Sequence, residues 1–263
     1  MPTVIVSKPD PASMLIGKYL TEHYFEPTDK SFGEYRVHTY KNADLIIINT
    51  LHVHAQWLEE MYPSDLYIVA SKHSAESGIP CLTVHTTGNW GDAMLGGFPR
   101  TLSYAPAQYM LAALQALKKE KEKRRLEKYS VSYEATHHGP TLNTPIMFVE
   151  IGSTEEEWMD EEAAAAVGEA IIHALEPVDV PTAIGIGGGH YAPRFTDIAL
   201  RKGIAFGHIA PRYALEQLDE YMFRQAVEKT VPTPAYISFH GVPEHLLDLF
   251  LEWASSFKLK PVK

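Results

Sequence analysis

One cysteine, Cys81, stands in a chain of 263 residues, so no intrachain disulfide is possible. The opening MPTVIVSKPD lacks both the basic n-region and the apolar h-region of a secretory leader, and a reducing cytoplasm is the expected setting. No apolar run approaches the roughly 20 residues that span a bilayer. Three motifs of catalysis are also missing. There is no Gly-x-Ser-x-Gly elbow, no His-Glu-x-x-His, and no Gly-Lys-Ser/Thr of a phosphate loop. Cys81 opens a strand instead of sitting in a nucleophile motif, so covalent catalysis has no support in the sequence. An excess of positive charge is lacking as well, the net charge being −10. That balance argues against nucleic acid, except that residues 118–128 (KKEKEKRRLEK) carry +4 and leave −14 on the rest. Lys118, Lys119, Lys123, Arg124 and Arg125 therefore form either a local phosphate-binding face or a solvated helix end with its cations on the favourable side of the dipole.

What the chain has in quantity is histidine, 13 residues in all, more than any one site can use. The stretch YEATHHGPTLNTPIMFVEIGST (133–154) places His137 and His138 between a β-type run and a Gly-Pro turn, then a second apolar strand carrying Glu150. Adjacent side chains on an extended backbone point to opposite faces. Both histidines reach one pocket only where the strand has broken, and Gly139-Pro140 is the expected break, with one of the pair as the working group.

Along the chain, TVIVS (3–7), RVHTY (36–40), DLIIINT (44–50), LYIVAS (66–71) and CLTVHT (81–86) read as strands. Further strands are expected at 130–136, 145–151, 182–187, 203–209 and 234–239, with helices over about 12–24, 54–61 and 105–127. Ser153 and Glu156 look like the capping box of another helix. The alternation predicts an α/β fold, a mostly parallel or mixed twisted sheet with helices on both faces, in a single domain over 1–263, with the charged segment 118–128 as the place where a subdivision would fall.

Other constellations end strands, where open α/β sheets bind ligands. His52-Val53-His54 suits a metal if extended, and diverges if a helix begins at His52. The loop HTTGNWGD (85–92) offers His85, Thr86, Thr87 and Asn89, and Arg100 follows it. GIGGGHYAPRF (185–195) is not the dinucleotide fingerprint, because His190 stands where the third glycine belongs. Gly187, Gly188 and Gly189 would let backbone N–H groups approach a ligand beside His190, Tyr191 and Arg194. FGHIAPRY (206–213) echoes that segment, and His240 ends another strand. Such residues suit water activated by a histidine and carboxylate, or by a metal they hold.

THHGPT (136–141), FVEIGSTEEEW (148–158) and GIGGGHYAPRFT (185–196) together resemble the archaeal and plant type of D-aminoacyl-tRNA deacylase. The IIINTLHVHA run and the HTTGNWG loop are similar too, so the resemblance covers nearly the whole chain. It implies hydrolysis of the ester between a D-amino acid and the terminal ribose of tRNA, with broad side-chain tolerance. It also implies zinc, a fold similar to peptidyl-tRNA hydrolase and the purine nucleoside phosphorylases, and a cytoplasmic protein, expected to be a monomer without DNA or membrane partners. Under it His137, His138, Glu134, Glu150 and His190 are catalytic candidates, and the glycine cluster is the expected oxyanion site. Thr86, Asn89, Tyr191 and Arg194 are expected at the substrate, and His52, His54, His137 and His138 at zinc. A nucleoside phosphorylase, a metal-dependent small-molecule hydrolase and a non-catalytic RNA-binding module are the alternatives.

Overall fold

A computed structural model describes all 263 residues. Its main sheet has eight strands, in spatial order Ser130–Tyr133, Cys81–His85, Ile146–Gly152, Leu66–Lys72, Pro2–Ser7, Ala43–Ile48, Tyr35–Tyr40 and Glu26–Phe32. The pairings from Ile146–Gly152 through Ala43–Ile48 are parallel. Cys81–His85 runs antiparallel to Ile146–Gly152, so the sheet is mixed and reverses direction there. The apolar runs form its centre because both faces are covered, which β-branched sequences such as DLIIINT require. Glu26–Phe32 (EPTDKSF) is too polar to read as a strand, and it forms at the edge, largely exposed, paired only with Tyr35–Tyr40.

Helices Pro11–His23, Ala107–Lys123 and Glu161–His173 pack together over one face, burying Val4, Leu45, Ile68, Val84 and Val149 in the largest core. The other face buries Ile5, Ile46, Tyr67, Val69 and Phe148 beneath residues of the 52–62 segment. A second, parallel sheet has the order Ala205–Ala210, Thr182–Gly187, Tyr236–His240 and Lys260–Pro261. No helix is long and apolar enough to cross a membrane.

Two local expectations are corrected. The capping box lies one residue later, Thr154 with Glu157 on the short helix Glu155–Trp158, and Asp160 caps Glu161–His173 separately. Ser153 is buried instead, its hydroxyl donating to Ile79 O at 2.7 Å. The helix expected over 54–61 is a 3-10 turn at His52–His54 followed by Leu58–Met61, too short a segment to sustain a full α-helix.

Candidate active site

The period of two along three neighbouring strands builds a polar face beside an apolar one. In Ile146–Gly152 the odd positions Met147, Val149 and Ile151 enter the core under the helices, while Ile146 and Phe148 face the other way and Glu150 continues that row. The same side of Leu66–Lys72 carries Tyr67 and Val69, then Ser71, with His73 next beyond the strand. Leu82 and Val84 face the helices, which leaves Thr83 and His85 beside Glu150. Glu134 follows Tyr133 onto the same side, and the turn after strand Thr182–Gly187 of the second sheet brings His190 against it.

Seven side chains meet there. Glu134 Oε2 lies 3.0 Å from His190 Nε2 and 3.6 Å from His137 Nε2, and its Oε1 is 3.1 Å from His73 Nδ1. Glu150 Oε2 is 3.5 Å from both His73 Nδ1 and His85 Nε2. The His137 ring centroid is 4.3 Å from those of His85 and His138 and 4.5 Å from that of His190. The two adjacent histidines face one place because His138 itself takes a left-handed φ of 44°. The break therefore falls at His138, ahead of Gly139. Gly88 N–H donates to His138 O at 2.8 Å and Gly139 N–H to Leu95 O at 2.9 Å, holding a conformation that costs a non-glycine residue on the order of 1–3 kcal/mol.

Three of these rings share a tautomer. Nδ1–H of His85 donates to Thr86 O at 3.0 Å, that of His137 to Ala135 O at 2.8 Å, and that of His138 to Gly139 O at 2.6 Å. Main-chain carbonyls thus fix the N–H on one side of each ring and leave Nε2 as the lone-pair atom of His137 and His138; burial opposes charge on His85, but the adjacent Glu150 outweighs it and raises its pKa, so its Nε2 becomes a ligand atom on losing a proton. His85 Nε2 is buried without a hydrogen-bond partner, and His85, His137 and His138 offer ligand atoms within 4.8 Å of one another. That is the donor set of a three-histidine zinc site with an open fourth position, and the residues fit the ion.

Charge follows burial. Burial and the neighbouring His85 hold His138 down to about 3, and the same two causes hold His137 well below the usual histidine range, so both rings are neutral near pH 7. Burial disfavours a charged His73, but the adjacent Glu134 and Glu150 carboxylates outweigh it and push its pKa up to about 12. Burial likewise opposes ionisation of both carboxylates, and the surrounding histidines overcome it, keeping Glu134 and Glu150 below the ordinary carboxylate range.

Among the residues singled out in the sequence, Glu134, Glu150, His137, His138 and His190 converge. His52 and His54 do not join them as a pair, because the 3-10 turn splays the two rings. His52 binds Asp10 Oδ2 at 3.0 Å while His54 is exposed. Gly188 N–H is spent on His240 O at 2.8 Å, so it is not free for an oxyanion. At Gly187, φ +99°, a Cβ would collide with His240 O, which makes that glycine a packing requirement. Gly189 is exposed. Tyr191 stands at the site with its hydroxyl 3.0 Å from His73 Nε2, whereas Arg194 is exposed at the start of helix Pro193–Lys202. Thr86 is buried and donates to Ile146 O, while Asn89 lines a neighbouring cleft. His208 is fully buried, between Thr136 and Ser103 O. Lys118, Lys119 and Arg125 are exposed, but Lys123 pairs with Glu120 and Arg124 with Glu120 and Glu162, on the helix that covers the opposite face of the sheet. Sequence reasoning missed His73 and offered His85 only as one polar group of a loop, outside the catalytic and zinc candidates. The alternation that places Ser71 and Thr83 on the polar face was the signal for both.

Two clefts of about 280 Å³ each open from this cluster, and His137 and His138 line both. Buried carboxylates behind histidines at the wall of a cleft define a hydrolytic class of centre. The chain belongs to the D-aminoacyl-tRNA deacylase family, whose sequence pattern matches residues 60–260. It is 40% identical to the D-aminoacyl-tRNA deacylase of Methanosarcina mazei, over 89% of this chain and 82% of that one. It is 35% identical to that of Pyrococcus furiosus over the full length of both. The crystal structure of a conserved protein of unknown function superposes with a TM-score of 0.90 at 32% identity, covering 99% of this chain and 94% of the other.

Proposed function

We propose that this protein hydrolyses the ester joining a D-amino acid to the terminal ribose of tRNA, using His190 as general base with Glu134 behind it. The single observation that carries the reading is the fully buried Glu134 carboxylate accepting from His190 Nε2–H at 3.0 Å, beside His137 and His138, which line the cleft with His190, and the buried His85 behind them. A carboxylate held behind an imidazole fixes its tautomer, as in hydrolytic triads, and leaves Nδ1 of the half-buried His190 as the lone pair toward the cleft. Water attacks the ester carbonyl and gives its proton to His190. The tetrahedral adduct then expels the ribose oxygen, which takes the proton back, and free amino acid and tRNA leave. An aminoacyl ester needs no covalent enzyme intermediate. His73, cationic between Glu134 and Glu150, supplies positive charge near the developing oxyanion. Zinc held by His85, His137 and His138 would supply Lewis-acid polarisation and a lowered water pKa.

The site draws on both sheets, which supports one catalytic unit over 1–263; the reading is completed by a cytoplasmic monomer acting on aminoacylated tRNA, without DNA or membrane partners. Exposed Lys118, Lys119 and Arg125 are the candidate phosphate contacts of the basic segment. Single-turnover hydrolysis of D-tyrosyl-tRNA tests the assignment. His190→Ala and His138→Ala should each slow it by roughly 10²-fold or more, and full activity in either removes that residue from the reaction.

A further inference from the structure

The two clefts are separated by the His137–His138 pair, with the loop 91–99 strapped over the divide. Met94 enters the lining of one cleft and Leu95 that of the other, and Leu95 O is fixed by Gly139 N–H. Pockets for drug-sized ligands begin at about 300 Å³, so a cleft of about 280 Å³ takes one small moiety and not two. An ester that reacts at the dividing wall must send its acyl half one way and its alcohol half the other.

We propose that the cleft lined by Asn89, Trp90, Tyr213 and Gln217 is the seat of the substrate's terminal adenosine, with the base stacked on Tyr213. The assignment rests on the deacylase reading and adds to it the direction in which the substrate lies. The chemistry of the two linings decides that direction. The first cleft has apolar walls at Leu51, Val53 and Leu95, which suit side chains of varied size, and holds Lys72 and the cationic His73 beside Glu150. The second offers what a purine nucleoside needs. Tyr213, on the turn Arg212–Gln217, leaves 65% of its surface open. Asn89 spends both amide hydrogens, on Gly96 O at 3.0 Å and Phe98 O at 3.2 Å, and so turns its carbonyl into a free acceptor for an exocyclic amine. Gln217, close over Gly91, adds a second amide to the same lining. Trp90 donates Nε1–H to Thr136 O at 3.0 Å and presents only its indole surface. Arg212, exposed beside Tyr213 and anchored by its N–H on Gly188 O, is in place for the phosphate on the 5′ side of that nucleoside.

Steady-state hydrolysis of D-tyrosyl-tRNA and D-alanyl-tRNA by the wild type, Tyr213→Ala and Tyr213→Phe tests the seat. Loss of a base–aromatic stack raises KM roughly ten- to a hundredfold. The alanine variant should show that rise by the same factor with both substrates, on KM and not kcat, and the phenylalanine variant should restore wild-type KM. A KM within twofold of wild type in Tyr213→Ala overturns the proposal. So does a rise several-fold larger for D-tyrosyl-tRNA than for D-alanyl-tRNA, which would put the amino acid in this cleft. A wild type that cleaves neither ester contradicts the deacylase reading instead. The seat is then read from titration with adenosine 5′-monophosphate, where saturable binding weakened by Tyr213→Ala supports it and no binding overturns it.

Discussion

Replacing Glu134 by glutamine changes one oxygen to an amide nitrogen and nothing in volume, yet it inverts the hydrogen-bond logic of the centre. The carboxylate has no exposed surface and accepts from His190 Nε2–H at 3.0 Å while its other oxygen faces His73 Nδ1 at 3.1 Å. A glutamine satisfies one of these donors with its carbonyl and turns NH₂ toward the other. With the amide toward His190, the ring must offer a lone pair to Gln and carry its proton on Nδ1, where no base is then available to water. A wrong tautomer behind a catalytic histidine costs about 10⁴ in kcat in a serine protease, and general base catalysis as a whole contributes roughly 10²–10⁴. Glu134→Gln should therefore lower single-turnover hydrolysis of D-tyrosyl-tRNA by roughly 10²–10⁴-fold. With the amide toward His73, the imidazolium keeps only Glu150, 3.5 Å away. Losing one charge-assisted bond of about 1.5–3 kcal/mol should lower Tm by roughly 3–12 °C in a chain of this size. Quench-flow on the matched pair of proteins, with circular dichroism for Tm, gives both readouts. A variant with the wild-type rate would refute the role of Glu134 and His190 as a unit.

Other consequences follow from groups away from the reacting atoms. Burial holds His208 down to about 3, where its Nε2–H donates to Ser103 O and its Nδ1 accepts from Thr136. The folded pKa lies below the unfolded value near 6.5, so the unfolded chain takes up the proton first. The stability that His208 contributes is thus complete above about pH 6.5 and is lost as pH falls toward 3. His208→Gln should flatten the dependence of unfolding free energy on pH in that window, and an unchanged slope would count against it. Asp10, with no exposed surface, caps helix Pro11–His23 through Ser13 N–H and accepts from Lys72 N–H at 2.9 Å and His52 at 3.0 Å. Asp10→Ala removes a cap of about 1 kcal/mol and strands two buried donors at about 1–3 kcal/mol each; a Tm drop of roughly 6–28 °C is expected by thermal unfolding, and a shift under about 2 °C would contradict it. Reversing Lys118 and Lys119 to glutamate should weaken tRNA binding and flatten its salt dependence, and unchanged affinity would return the segment to a solvated helix end.

The strands and the long helices were legible because apolar periodicity is a local signal, as in DLIIINT and LYIVAS. Glu26–Phe32 was not, since an exposed edge strand needs no apolar alternation and pairs by backbone alone. The adjacency of His137 and His138 implied a break in the strand, but the left-handed turn at His138 depends on Gly88 and Leu95, distant in sequence, and only the tertiary structure supplies them. His52 and His54 have metal-ligand spacing on an extended chain and lose it in a 3-10 turn. His73 was invisible as a motif because its partners, Glu134 and Glu150, come from strands that become neighbours only in the sheet.

The central claim is hydrolysis of a D-aminoacyl ester at the histidine and carboxylate cluster. Release of tyrosine from matched D-tyrosyl-tRNA and L-tyrosyl-tRNA by the wild-type protein, with and without a chelator, tests it most directly. The account predicts rapid loss of the D-ester, an L-ester no less stable than in buffer, and slowing of the D reaction by the chelator. Cleavage of neither ester above the rate in buffer, or of both at the same rate, would contradict it.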